Sequence, residues 1–254
     1  MNWDPEVYMR FASERSRPAM ELLARVPLRA PARVIDLGCG PGNSTAILAA
    51  RWPQAEIEGL ESSPDMLTRA HASGLRAKWI DSDIESWASS DPYDVIFSNA
   101  ALHWIPDHHL LLPRLMSYVA DGGALVFQVP RNFDAPSHVL MQQVAESGPW
   151  AAKLADARQV NVLSPEVYFD ILAPLAKSVD IWETTYIHVL EGEDPVLAWV
   201  SGTGLRPFVQ PLDNEEREAF FARYRTQLRE AYPRRADGKT LFPFQRLFAI
   251  ALVA

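Results

Sequence analysis

The run VIDLGCGPG, residues 34–42, decides the fold. The β-branched stretch ARVIDL (32–37) reads as a short buried strand. Gly38, Gly40 and Gly42, at alternate positions, let the backbone turn tightly and approach a ligand. A helix with Ile47, Leu48 and Trp52 at helical spacing then begins near Asn43. The pattern also selects among ligands. A nucleotide-triphosphate loop needs Gly-Lys-Ser/Thr, which is absent, and the dinucleotide fingerprint G-x-G-x-x-G needs glycine where Asn43 stands. Asp36, two residues before the first glycine, sits badly beside a pyrophosphate and suits a ligand carrying an ammonium or another cation.

Outward from this turn the strand–helix rhythm repeats. Strands are expected at 55–60, 77–80, 93–98 and 124–129, with helices at 43–52, 64–72 and 110–118, so an α/β fold around a mostly parallel sheet is the economical solution. Before the turn, residues 7–25 read as one or two helices broken near Pro18. After Pro130 the rhythm changes. Helices are expected at 135–145, 165–172, 195–199 and 214–232, with a long strand SVDIWETTYIHVL (178–190) and a closing strand over 241–253. No repeat or interdomain linker is visible. The reading is one domain over 1–254: an N-terminal helical segment (1–30), a ligand-binding core (31–130), cap insertions with strand six (131–240) and the closing strand (241–254).

Composition agrees with a packed protein. The chain has 254 residues, 48% hydrophobic and 22% charged, enough apolar surface to offset the entropy of ordering it, which excludes a disordered or collagen-like chain. The lone Cys39 permits neither an internal disulfide nor a multi-thiolate metal site. The N-terminus lacks the apolar run of a signal peptide and the late apolar stretch 247–254 is too short to span a bilayer, so a cytoplasmic protein is expected. The net charge of −8 argues against nucleic acid. Its distribution is uneven: +2 over 1–33, −13 over 34–200 and +3 over 201–254. A middle that binds a cation and ends that meet an anion would produce this split; solvated surface charge would too.

Two further acidic positions accompany the glycine turn. IEGLESSPDML places Glu61 at the C-terminal end of the second strand, where a carboxylate can accept both hydroxyls of a ribose. Helix capping is the competing role, but Ser62, Ser63 and Asp65 are also available for it. In IDSDIESW, Asp83 can accept from an adenine amino group while the Ile84 amide donates to a ring nitrogen; capping is the alternative there as well.

Together these residues resemble the class I S-adenosylmethionine-dependent methyltransferases. Asp36, Gly38, Gly40 and Gly42 match the glycine motif, Glu61 with Ser62 and Met66 the ribose-acid motif, and Asp83 with Ile84 the adenine motif. YDVIFSNAALHW (93–104) matches the fourth strand and its loop. The likeness covers about residues 30–130. It implies a Rossmann-like sheet of seven strands, the last antiparallel, with a helical cap. It further implies S-adenosylmethionine as cofactor, S-adenosylhomocysteine as product, and a methionine portion held by the glycine turn and Asn99. The family pattern in the N-terminal ERSR implies that Arg15, ahead of Arg17, pairs with the methionine carboxylate, with a helix-surface charge the competing role for either.

The rest of the chain is similar, end to end, to one branch of that family, in WDPEVYMRFASERSRPAMELLARVP, LHWIPDH, VDIWETTYIHVL, WVSGTGLRPF and LFPFQRLFAIA. That branch esterifies a small unsaturated tricarboxylate. Such a reaction needs no catalytic base, because a carboxylate is already ionised at neutral pH; it needs positioning, exclusion of water and arginine for the carboxylates that do not react. The expected acceptor residues are Arg206, His103, Trp104, Tyr186, His188 and Trp199, with core packing the competing role for Tyr186 and Trp199 and a backbone hydrogen bond for His103. No metal is expected: adjacent His108 and His109 cannot share a ligand from one helix and H-E-x-x-H is absent. No hydrolase nucleophile elbow is present. Three other readings stay open: methylation of another small anionic acid, a nucleoside-binding regulatory protein without catalysis, and an oxidoreductase using a nicotinamide cofactor.

Overall fold

In the computed structural model, residues 12–155, 157, 161–202 and 204–254 are described, with side chains from Ser16 onward. Helix α1 (Ala12–Arg25) leads into β1 (Arg33–Leu37), α2 (Asn43–Arg51), β2 (Glu56–Glu61), α3 (Pro64–Ala72), β3 (Lys78–Asp81) and β4 (Tyr93–Asn99). A 3₁₀ turn (Leu102–Trp104), α4 (His108–Met116), β5 (Val119–Pro130), α5 (Pro136–Ser147) and α6 (Ala151–Leu154) follow. Then come α7 (Pro165–Leu172), β6 (Ser178–Leu190), α8 (Pro195–Ser201), α9 (Arg206–Val209), α10 (Asn214–Ala231) and β7 (Thr240–Leu252).

The seven strands form one sheet in the order β3-β2-β1-β4-β5-β7-β6. β1 pairs in parallel with β2 and β4, β2 with β3, and β4 with β5, whereas β7 runs antiparallel to β5. This is the sheet of a class I methyltransferase fold, with the order reversing between β1 and β4. At such a switch point the loops leaving the carboxyl ends of the strands part and leave a crevice for a ligand.

The described residues divide into two compact units. The larger comprises those of 15–130, 160–184 and 246–254, and the smaller those of 1–14, 131–159 and 185–245. In the larger unit Ile35, Leu37, Ile96, Leu125, Phe127, Leu247 and Ala249 line one sheet face. They pack with Leu111, Leu112 and Leu115 of α4 and Tyr168 and Leu172 of α7. His108 belongs to this packing: its Nδ1 lies 2.8 Å from Tyr168 Oη and its Nε2 2.9 Å from the Leu102 carbonyl. The smaller unit is built on Trp150 just before α6, Phe220, Tyr224 and Leu228 of α10, and Phe242 of β7.

Three departures from the sequence reading have physical causes. α1 runs through Pro18 instead of breaking there. Burial of Pro18, Ala19, Leu22 and Leu23 offsets the backbone bond that proline removes. β5 starts at Val119, five residues early, because Gly122 at φ +73° lets DGG be absorbed as an irregularity where pairing shifts between Tyr93 and Val95. The 3₁₀ turn, α6 and α9 are three or four residues long, too short to show a helical period. Among the described residues no helix is long and apolar enough to cross a membrane.

Candidate active site

The glycine turn sits at the carboxyl end of β1 and its form follows from its neighbours. Gly38, Gly40 and Gly42 have φ of +70°, +57° and +94°, the left-handed region that side chains disfavour. At Gly38 there is a second reason: a Cβ would fall 2.2 Å from the Cβ of Ala101 in the loop after β4. At Gly40 the situation is opposite, with nothing within 4 Å of where a Cβ would stand, so the backbone there borders open space. The loop after β4 is itself constrained. Ala100 adopts φ +56° while its amide donates to the Gln128 carbonyl at 2.9 Å, a local strain of roughly 1 kcal/mol or more that the surrounding bonds hold in place.

Asp36 is fully buried beneath the turn. Its Oδ2 accepts from Ser44 Oγ and Thr45 Oγ1 of α2, both at 2.7 Å, while Oδ1 is buried without a hydrogen-bond partner. Burial pushes its carboxyl up to about 6, against the two hydroxyl bonds and with a smaller contribution from the Glu61 charge. Asn99, the last residue of β4, presents a second buried acceptor, Oδ1, also without a partner. The pairing Asp36↔Phe97 puts Asp36 and Asn99 on one face of adjacent strands. The buried Cys39 thiol beside them is pushed up by burial and by both carboxylates, which leaves it protonated and unreactive.

Glu61 ties the second strand to the turn. Its Oε2 accepts from the Gly40 amide at 2.9 Å, and its Oε1 from the Ser62 and Ser63 amides at 3.1 and 2.9 Å. Ser63, at the N-cap of α3, makes no side-chain cap bond. Glu61 therefore does take local backbone bonds of the kind a cap would, and three of the roughly four acceptor positions of a carboxylate are occupied. Asp83 is exposed, its Oδ1 accepting from the Glu85 amide at 2.8 Å in a turn-capping bond. Ile84 is buried, with its Cδ1 3.7 Å from the position a Gly38 Cβ would take. Ser62 is exposed and Arg17 bonds Glu21 on the surface of α1 at 2.7 Å; the Arg15 side chain lies outside the described residues.

Of the expected acceptor residues, two lie in the larger unit. His103 is buried in the 3₁₀ turn, its ring 4.5 Å from that of Trp104 and its carbonyl accepting from the Asn161 amide at 3.0 Å. The other four belong to the smaller unit. Tyr186, His188 and Trp199 are buried there in an aromatic group, with 4.4 Å between the rings of His188 and Trp199. Arg206 is exposed at the start of α9.

A family profile described as "Methyltransferase domain" matches residues 11–168, well over half the chain. The chain belongs to the methyltransferase family. It is 48% identical over 251 residues to a trans-aconitate 2-methyltransferase of Azoarcus sp., covering 98% of each. To that of Streptomyces avermitilis it is 50% identical over 260 residues, covering 98% of this chain and 96% of the other. Its fold resembles the crystal structure of the YcgJ protein from Bacillus subtilis, at a TM-score of 0.62 and 12% identity over 93% of this chain and 98% of that one.

The cofactor of class I methyltransferases is S-adenosylmethionine, and the residues of this methyltransferase fit it. Two buried acceptors without partners, Asp36 Oδ1 and Asn99 Oδ1, suit an ammonium, and the space beside Gly40 admits a chain lying along the backbone. Glu61 keeps one acceptor position for a ribose hydroxyl.

Two residues of this methyltransferase escaped the sequence reading. Gln128 and Arg246 are both buried, on β5 and β7, and Arg246 Nη1 donates to Gln128 Oε1 at 3.2 Å. A signal existed. Gln128 is the lone polar residue of ALVFQVP and Arg246 the lone charge of LFPFQRLFAIA, where a buried charge demands a reason.

Proposed function

We propose that this methyltransferase transfers the methyl group of S-adenosylmethionine to a carboxylate of trans-aconitate, giving a monomethyl ester and S-adenosylhomocysteine. The observation that carries the proposal is the identity of 48% and 50% to trans-aconitate 2-methyltransferases, spread over nearly the whole of each chain and not confined to the cofactor motifs.

Bound S-adenosylmethionine supplies a methyl group on a positively charged sulfur. The protein's part is to bind, orient and exclude water. Asp36 and Asn99 accept from the ammonium, the open backbone at Gly40 lets the methionine portion lie close, Glu61 holds the ribose, and Asp83 with the Ile84 amide holds the adenine edge. Arg15 pairs with the methionine carboxylate. His103 and Trp104, in the 3₁₀ turn that follows Asn99 and the end of β4, border the acceptor. The new bond uses a lone pair of an already ionised carboxylate oxygen, and the electrons of the broken carbon–sulfur bond stay on sulfur. Positive and negative charges vanish together, so no proton moves and no side chain serves as base. Catalysis rests on alignment and on replacing the acceptor's hydration shell with fixed dipoles. Small acids are the partners in this reading, and the cytoplasm the compartment.

The test is incubation of the protein with methyl-labelled cofactor and a panel of di- and tricarboxylates. Ester formation on trans-aconitate in preference to the others is the expected result. Preferred transfer to another acid, or saturable cofactor binding with no transfer to any, would overturn the proposal.

A further inference from the structure

The polar side chains along one sheet face are sorted by sign. Asn99 pairs in register with Gln128, Gln128 with Phe248 and Pro130 with Arg246, so Asp36, Asn99, Gln128 and Arg246 share a face of the neighbouring strands β1, β4, β5 and β7. The first two offer buried acceptors without partners, Asp36 Oδ1 and Asn99 Oδ1. The next two offer donors. Gln128 is wholly buried; its Oε1 is taken by Arg246 Nη1 at 3.2 Å, which fixes the amide so that Nε2, buried and without a partner, is left as a donor. Arg246 is 5% exposed and brings a guanidinium that stays charged at any working pH.

Acceptors on β1 and β4 suit the cationic end of the cofactor. Donors on β5 and β7 suit an anion. Neighbouring strands are roughly 4.8 Å apart and Arg246 lies two residues along β7 from the position in line with Asn99, so the two backbones are separated by about 12 Å, and the arginine side chain reaches back across part of that to Gln128. What remains is the length of a small polycarboxylate. We infer that Arg246, with the Gln128 amide beside it, binds a non-reacting carboxylate of the acceptor and so sets the preference for polycarboxylates. A guanidinium and an adjacent amide N–H make the two-pronged donor set that a carboxylate accepts. Gln128 acts as a positioning residue for Arg246 and as the second donor.

The inference rests on the proposed function, so its test separates the two. Kinetics and calorimetry are run on the wild type, Arg246→Gln and Arg246→Lys. S-adenosylhomocysteine binding reports the cofactor side, and trans-aconitate titrated into the S-adenosylhomocysteine complex reports acceptor binding without turnover. Arg246→Gln should raise both the acceptor KM and its Kd at least tenfold while the S-adenosylhomocysteine Kd stays within twofold. Arg246→Lys, which keeps the charge but loses the fork, should recover part of that loss. An acceptor Kd within threefold of wild type in Arg246→Gln, or an equal loss of cofactor product and acceptor binding, overturns the inference. Should Arg246→Gln not fold, an Arg246→Lys acceptor Kd unchanged from wild type overturns it and a raised one with intact S-adenosylhomocysteine binding supports it. Wild-type protein that binds the tricarboxylate without esterifying it would sink the proposed function and leave this inference to be read from the Kd values.

Discussion

Asp36→Asn separates what the buried carboxylate does for the ligand from what it does to the fold. Burial raises the carboxyl from its ordinary 3.8 to about 6, and at about 1.4 kcal/mol per pH unit the ionised folded protein is less stable at neutral pH by roughly 3 kcal/mol. The raised value means that the folded protein holds its proton where the unfolded chain has released it. The favourable contribution is therefore complete below pH 3.8 and lost as pH rises through about 6. Asparagine does not titrate. It can keep the Ser44 and Thr45 bonds with its carbonyl oxygen and leaves an amide N–H₂ in place of the unpartnered Oδ1, at a pH-independent cost of about 1–3 kcal/mol. Stability measured by urea unfolding should thus shift in favour of the variant between pH 4 and 6.5 by about 3 kcal/mol, then level off. Taking the difference from wild type cancels every other titrating group. Affinity for S-adenosylmethionine, measured by calorimetry at pH 7.5, should move the other way and weaken at least tenfold, because the ammonium loses its counter-charge. A stability difference that is flat with pH, or unchanged cofactor affinity, would refute the reasoning.

Gly38→Ala should destabilise the protein by about 3 kcal/mol or more, from a left-handed φ of +70° and a Cβ 2.2 Å from that of Ala101, and should abolish cofactor binding. Adding Ala101→Gly removes the clash but not the backbone strain, so unfolding of the double variant should recover only part of the loss; wild-type stability in Gly38→Ala would contradict the packing. His138 carries a pH effect of opposite sign to Asp36. Burial lowers it from 6.5 to about 4, so its contribution is present above pH 6.5 and is lost as pH falls toward 4, by roughly 3 kcal/mol. His138→Gln should flatten the acid limb of the unfolding profile, and an unchanged limb would place the acid sensitivity elsewhere.

The parts of this fold that could be read from the sequence are those written in contiguous residues. Strand, glycine turn and helix follow one another within residues 33–51, so the motif and its ligand class were visible in the order of residue types. The end of β2 is visible for the same reason, and with it Glu61, whereas Asn99, one residue past the strand expected at 93–98, enters only through the family resemblance. What escaped depends on pairing across the sheet. That Gly38 needs its missing side chain because of Ala101, sixty-three residues later, is a fact of the β1–β4 pairing. Glu61 could be placed at a ligand, but not its bond to the Gly40 amide, which fills capacity the sequence reading had assigned to a second ribose hydroxyl. Gln128 and Arg246 are hard to see in the sequence because each sits in an apolar run that reads as plain strand; only the pairing of β5 with β7 sets the two side chains against each other.

The sheet order explains why these polar residues can serve a charge-cancelling reaction. Asp36, Asn99, Gln128 and Arg246 are scattered over 211 positions of chain, yet the order β1-β4-β5-β7 sets them side by side. Each is costly alone: two orphan acceptors, one orphan donor and a buried guanidinium all oppose folding. They would be a poor choice for a structural core, and the opposite face of the same strands carries Ile35, Ile96, Leu125, Phe127, Leu247 and Ala249 in their place. A gradient from acceptors to donors on one face, backed by an apolar face on the other, favours a cation at one end and an anion at the other, held close enough to react. In water those two ions would be separated by their hydration shells. In the proposed reaction the desolvation is borne in advance by side chains of the protein, and the stability cost of Asp36 and the affinity for the cofactor should then prove to be two readings of one buried charge.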